Sequence, residues 1–167
     1  RSIAQPTDTR SLLTTVIPKG VFVGNSINLF SIYAGTLYSY KLLSGINVVL
    51  SSMTADFYIR QRIAKNVNAF IVKDLPFPRE LSEVECLGTL ALPLYSGHEF
   101  EKFRDGVNEI TDAIERKNLT AKLDAMVAHL YLLTYEQYQT VLSSFPLVEE
   151  SYRNRCLFEF KEIQLAR

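Results

Sequence analysis

Over the first quarter of the chain, apolar residues fall in short β-branched runs rather than at helical spacing. Leu12 to Ile17 is such a run and stops at Pro18. Pro18-Lys19-Gly20 is a turn signal, and Val21, Phe22 and Val23 lead into a second turn at Gly24-Asn25. The pattern predicts two short strands, near 12–17 and 20–24, close enough for a hairpin. From Leu42 the period changes. Leu42, Leu43, Ile46, Val49, Leu50, Met53 and Phe57 recur at intervals of three and four, which describes one long helix running into Arg60 and Arg62. Gly45 costs that helix about 1 kcal/mol relative to Ala, and with Ser44 it lets another backbone come close. Ala69 to Leu75 ("AFIVKDL") reads as a strand, and Pro76 and Pro78 make it an edge strand.

The second half reads as helices. Glu80 to Leu94 is one, with Ser82 as its cap and Glu83 and Glu85 in its first turn. Glu99 to Lys117 reads as one or two acidic, solvated helices. "NLTAKLDAMVAHLYLL" carries a stripe of Leu119, Leu123, Met126, Val127 and Leu130. Thr134 with Gln137 forms a capping-box pattern that opens a helix ending near Ser143. Tyr152 to Ala166 makes a last helix. The expected fold is therefore mixed α/β (α+β): a small mixed sheet with a long packed helix in the first half, and a helix-rich second half. An α/β lobe over 1–79 and a helical brace over 80–167 are the expected units.

Composition adds a core and an asymmetry. The chain has 167 residues, 47% of them hydrophobic and 22% charged, with a net charge of zero. This is the profile of a folded domain rather than of disorder. Up to Arg79 there are nine Lys/Arg against three Asp/Glu, and from Glu80 onward nine against fifteen, so +6 is balanced by −6. The split suggests a basic surface on the first half. No apolar run is long enough for a membrane helix. Neither a secretory signal nor an initiator Met is present, so the chain reads as a cytoplasmic fragment of a longer protein. Cys86 and Cys156 have no CxxC spacing and read as buried thiols.

Chemistry-bearing motifs are missing. There is no glycine-rich nucleotide cradle, no HExxH and no nucleophile elbow. His98 and His129 have no companions at metal-ligand spacing, and His129, beside a Leu/Met stripe, reads as a packed or half-exposed histidine. Glu159-Phe160-Lys161 lacks the acidic partner that a metal-dependent nuclease needs. No catalytic or metal-binding residue is assigned.

Two segments carry a resemblance. "GVFVGNSINLF" with "LLSGINVVLSSMTADFYIRQRIAKNVNAFIVKDLPFPRE", and then "LDAMVAHLYLLTYEQYQTVLSSFPLV", resemble the C-terminal region of bacterial type II restriction–modification enzymes. These fuse an adenine-N6 DNA methyltransferase to a target recognition domain related to type I specificity subunits. The ending Leu75-Pro76-Phe77-Pro78 fits the family pattern. Ile46-Asn47-Val48 replaces the usual Leu-Asn-Ser, and Leu132 stands where Gly is typical. The resemblance implies sequence-specific recognition of duplex DNA by a piece that is itself non-catalytic. S-adenosylmethionine and the catalytic motifs, with or without endonuclease activity, would belong to an upstream methyltransferase domain of the same protein. Within the chain, cations suit phosphates, and Arg, Lys, Asn and Gln suit base edges. The candidate DNA-binding residues are Arg60, Gln61, Arg62, Lys65, Asn66 and Asn68, with Asn25 and Ser26 joining them across the expected sheet. The competing expectation is a helical protein-interaction module that docks to other domains without touching DNA.

Overall fold

A computed structural model describes residues 4–30 and 39–166. Seven α-helices follow in order among these residues: α1 Tyr40–Ser51, α2 Met53–Arg60, α3 Ala69–Lys73, α4 Leu81–Ala91, α5 Ala113–Leu130, α6 Tyr135–Ser143 and α7 Glu150–Leu165. The described residues contain no β-strand, so the expected mixed sheet is absent and the fold is helical.

Each expected strand fails for a physical reason. Residues 12–17 form no regular element and meet no second strand among the described residues. The backbone N–H groups of Ser11 and Leu12 donate instead to the Asp56 carboxylate on α2, at 3.0 and 3.2 Å. Leu12 and Val16 are buried as a strap across the helices. Residues 20–24 lie in an exposed loop, where Phe22 is fully solvent-accessible. The segment expected as an edge strand is mostly α3. Val67, Ile71 and Leu75 recur every four residues and pack together against Ala55, Ile59 and Ile63. Helical spacing thus wins over the β-branched composition.

The expected long helix is two. Ser52 ends α1 and caps α2, its hydroxyl accepting from the Ala55 N–H at 3.1 Å, and the axis turns by 51° there. Asp124 on α5 accepts the freed Met53 N–H at 2.8 Å, satisfying one of the orphan donors of a helix start. α4 starts after Glu80 rather than at Ser82. Between α4 and α5 lie 3₁₀ turns and extended chain in place of most of the expected acidic helices. The long α5 begins at Ala113, capped by Asp112 through the Glu115 N–H at 2.8 Å.

α1 and α4 pack with their backbones in near contact. A Cβ on Gly45 would lie 1.9 Å from the Val84 carbonyl oxygen, and one on Gly88 would lie 1.7 Å from that of Lys41. The Ser44 hydroxyl donates to the Gly88 carbonyl at 3.0 Å across this contact. Met53 joins Ala121, Ala125 and Ala128 of α5, Tyr138 and Leu142 of α6, Phe145, and Cys156 and Phe160 of α7 in one buried cluster. Each large side chain so buried contributes about 1.5–3 kcal/mol. One core therefore draws on both halves of the sequence. No single helix among the described residues is long and apolar enough to cross a membrane.

Candidate nucleic-acid interface

The end of α2 and the turn into α3 hold six of the candidate residues, and they divide. Arg60 points inward. Its Nε lies 3.4 Å from Asp56 Oδ1, one turn earlier on the same helix. Its Nη2 donates to the carbonyls of Asp8 and Thr9, the latter at 2.9 Å. Its guanidinium sits 4.1 Å from the centre of the Phe145 ring. Asp56 is fully buried and also receives Arg10 Nε at 2.7 Å. Burial opposes the charge on Arg10, but Asp124 and Asp56 more than offset it and its pKa is raised. Arg60 therefore belongs to a buried cluster that pins the 8–12 strap to α2.

The remaining candidates on this turn face solvent. Gln61, Arg62, Lys65, Asn66 and Asn68 are all exposed. Arg62 stacks 3.5 Å from the Tyr58 ring centre and donates to the Tyr58 carbonyl at 3.1 Å, which leaves most of its fork open. Among the described residues no carboxylate pairs with Arg62 or Lys65. Asn68 occupies the N-cap position of α3 without a side-chain capping bond. Asn25 and Ser26 lie in an exposed turn. That turn is held beside the first by Asn28, whose Nδ2 donates to the Val67 carbonyl at 3.0 Å. The two loops are brought together by a side-chain bond, and no sheet is involved.

Sequence reasoning missed the groove next to this turn. α2, the chain at Leu75-Pro76 and α6 enclose about 470 Å³, with Gln61 and Arg62 on the rim and Phe57, Leu133 and Val141 among the walls. The Tyr131 hydroxyl closes one end by donating to the Pro76 carbonyl at 2.6 Å. A signal was present. Thr54, Phe57, Tyr58 and Gln61 follow the spacing of one helix face, as do Gln137, Thr140 and Val141.

Other polar groups serve packing. Asp124 is buried, which raises its pKa; Arg10 and a 2.7 Å hydrogen bond donated by Tyr152 partly offset the burial. A second cavity of about 180 Å³ lies beside it, bounded by Asn47, Ser51 and Tyr95. His129 stacks on Phe160 at 3.8 Å and is buried. Glu159 pairs with Arg155 at 2.6 Å. Cys156 is buried, whereas Cys86 is exposed, contrary to the expectation of two buried thiols. No set of three or more His, Cys, Asp or Glu that could hold a metal occurs among the described residues.

Comparison with known proteins returned no matching family model, no matching curated protein and no matching solved structure.

Proposed function

We propose that this chain grips duplex DNA as the target-recognition portion of a bacterial restriction–modification adenine-N6 methyltransferase. In this reading Arg62 and Lys65 meet phosphates, while Gln61, Asn66 and Asn68 reach base edges, with Asn25 and Ser26 flanking them. The observation that carries it is the turn itself: five exposed polar and cationic side chains over 61–68, with the 24–28 loop tied alongside by Asn28. Such a turn can enter a groove without giving up helix hydrogen bonds. The helices beyond Glu80 brace it against an upstream methyltransferase domain, which supplies S-adenosylmethionine and takes the extruded adenine. The protein acts in the cytoplasm, where its DNA lies.

The test is a titration of duplex binding against salt. Contact led by phosphates makes log K fall linearly with log salt, by about 0.9 per phosphate contacted. Affinity that stays level as salt rises overturns the reading. That outcome is the one expected of a second reading, a helical docking module. The exposed Val21, Phe22, Leu29 and Phe30 favour it, since a run of bare apolar side chains suits a protein partner.

A further inference from the structure

We infer that the groove behind the basic turn is a binding site for one nucleoside monophosphate unit, with the base inside and the phosphate at Arg62. Its volume of about 470 Å³ is that of a small-ligand site. The charge pattern comes first. No Asp or Glu lines the groove, and Arg62 stands on its rim, so an anion finds a partner there and a cation finds none. The polar pattern narrows the choice. Thr54 lies on the groove wall, but its hydroxyl is sealed within the protein and offers the groove no hydrogen bond. Gln61 offers a free carboxamide. Gln137 uses its Oε1 to accept the Thr134 N–H at 2.9 Å, which leaves its NH₂ to donate. These groups call for a ligand edge that both donates and accepts. A fatty chain would leave them all unmet.

Apolar walls from Phe57, Leu133 and Val141 call for flat faces rather than a hydrated sugar or a lone phosphate. The Tyr131 ring supplies a surface on which a base stacks, while one face of Tyr58 carries Arg62. A planar heterocycle with amide-like edges and an attached phosphate meets every one of these demands. It can arrive as a free nucleotide or as a nucleotide displaced from a strand held at the turn. The second source rests on the DNA-binding reading above, and the first does not.

The probe is adenosine monophosphate, added to the chain and followed by calorimetric titration, with adenosine as the comparison. Saturable binding of the monophosphate, weakened in adenosine and in Arg62→Gln, is expected. Thr140 is exposed on the groove wall, and its hydroxyl only bonds back to the Glu136 carbonyl at 2.9 Å, so Thr140→Trp fills the groove with α6 intact. It should weaken the nucleotide about tenfold or more, because the indole takes the space the base would occupy. Gln61→Leu, at an exposed position, serves if the tryptophan variant does not fold. Absence of binding, or equal binding by the variants, overturns the inference. A duplex with a single-nucleotide bulge separates the sources. Preference for it over a fully paired duplex, lost in Thr140→Trp, assigns the site to a displaced nucleotide. Paired-duplex binding with no nucleotide binding and no preference sinks the groove site and leaves the DNA reading standing. Nucleotide binding without any duplex binding does the reverse.

Discussion

Arg60 and Arg62 leave the same helix end two residues apart and have opposite fates. Arg60 lies over Phe145 and bonds to Asp56 and the 8–12 strap, while Arg62 lies over Tyr58 at the surface with its fork largely open. Helix geometry explains the split. Arg60 is the last residue of α2, whereas Arg62 lies in the turn beyond it, and the two side chains leave on different faces. Arg60 stands one turn after Asp56, at the spacing where side chains meet, and Arg62 does not. Residue type alone made both look like phosphate contacts. The position of one buried carboxylate separates the structural arginine from the available one.

The comparison breaks most visibly at Asp56. Its carboxylate is buried with two arginines and two backbone N–H groups around it. Asp56→Ala leaves Arg10 and Arg60 without their counter-charge and frees the strap. Removing one partner of a buried ion pair costs about 3–5 kcal/mol. Arg62→Ala touches no such network and should stay within about 0.5 kcal/mol of the parent. Urea denaturation of both variants is the check. A loss at Arg62 as large as that at Asp56 would erase the distinction between the two faces.

The same contrast should invert when DNA binding is measured. On the proposed DNA-binding reading, charge reversal of Arg62 and Lys65 together removes two phosphate contacts and adds repulsion. The salt slope should become shallower by about 2, and affinity at low salt should fall by more than about tenfold. The unfolding midpoint should hardly move. Arg60 is a poor choice for this experiment, because its reversal attacks the fold. Unchanged binding in the double variant would remove the turn from the interface.

What could be read in advance was local. The capping box at Thr134 and Gln137 forms as its spacing suggests, and both of its bonds are made. Ser44 and Gly45 do admit a second backbone, that of α4. His129 packs in the core as its apolar neighbours imply. Two of the misreadings involve a partner far away in sequence. The break after Ser52 is stabilised by Asp124, 71 residues on from Met53, and no window over α1 and α2 contains it. Leu12 to Ile17 has strand composition, but the partner for the backbone leading into it is an aspartate 44 residues away. At 69–75 the local signal was present and was outweighed. Val67, Ile71 and Leu75 keep a spacing of four, while the β-branched Ile71 and Val72 gave the run its strand composition. Of the candidate site, the turn was legible because it is contiguous. The inward swing of Arg60 and the groove beyond Arg62 required the fold.

Tyr131 gives the finest measure of the difference between inner and outer surfaces, because it lies on their boundary. Its ring walls the groove that Arg62 rims, and its hydroxyl donates to the Pro76 carbonyl. Burial pushes its pKa up from 10.0 to about 12. In the unfolded chain the phenol ionises first, so this group's contribution is intact below about pH 10 and is lost as pH rises towards about 12. Burial likewise raises Tyr95, Tyr138 and Tyr152, so alkaline destabilisation of the parent has several sources. Tyr131→Phe should cost about 1 kcal/mol near neutral pH, for one hydrogen bond, and that cost should shrink as pH rises from about 9 to about 12. Chemical denaturation across that range measures it. A cost that stays constant with pH would mean that the Tyr131 phenol ionises equally readily in the folded and unfolded chain, and that the groove end is open to water.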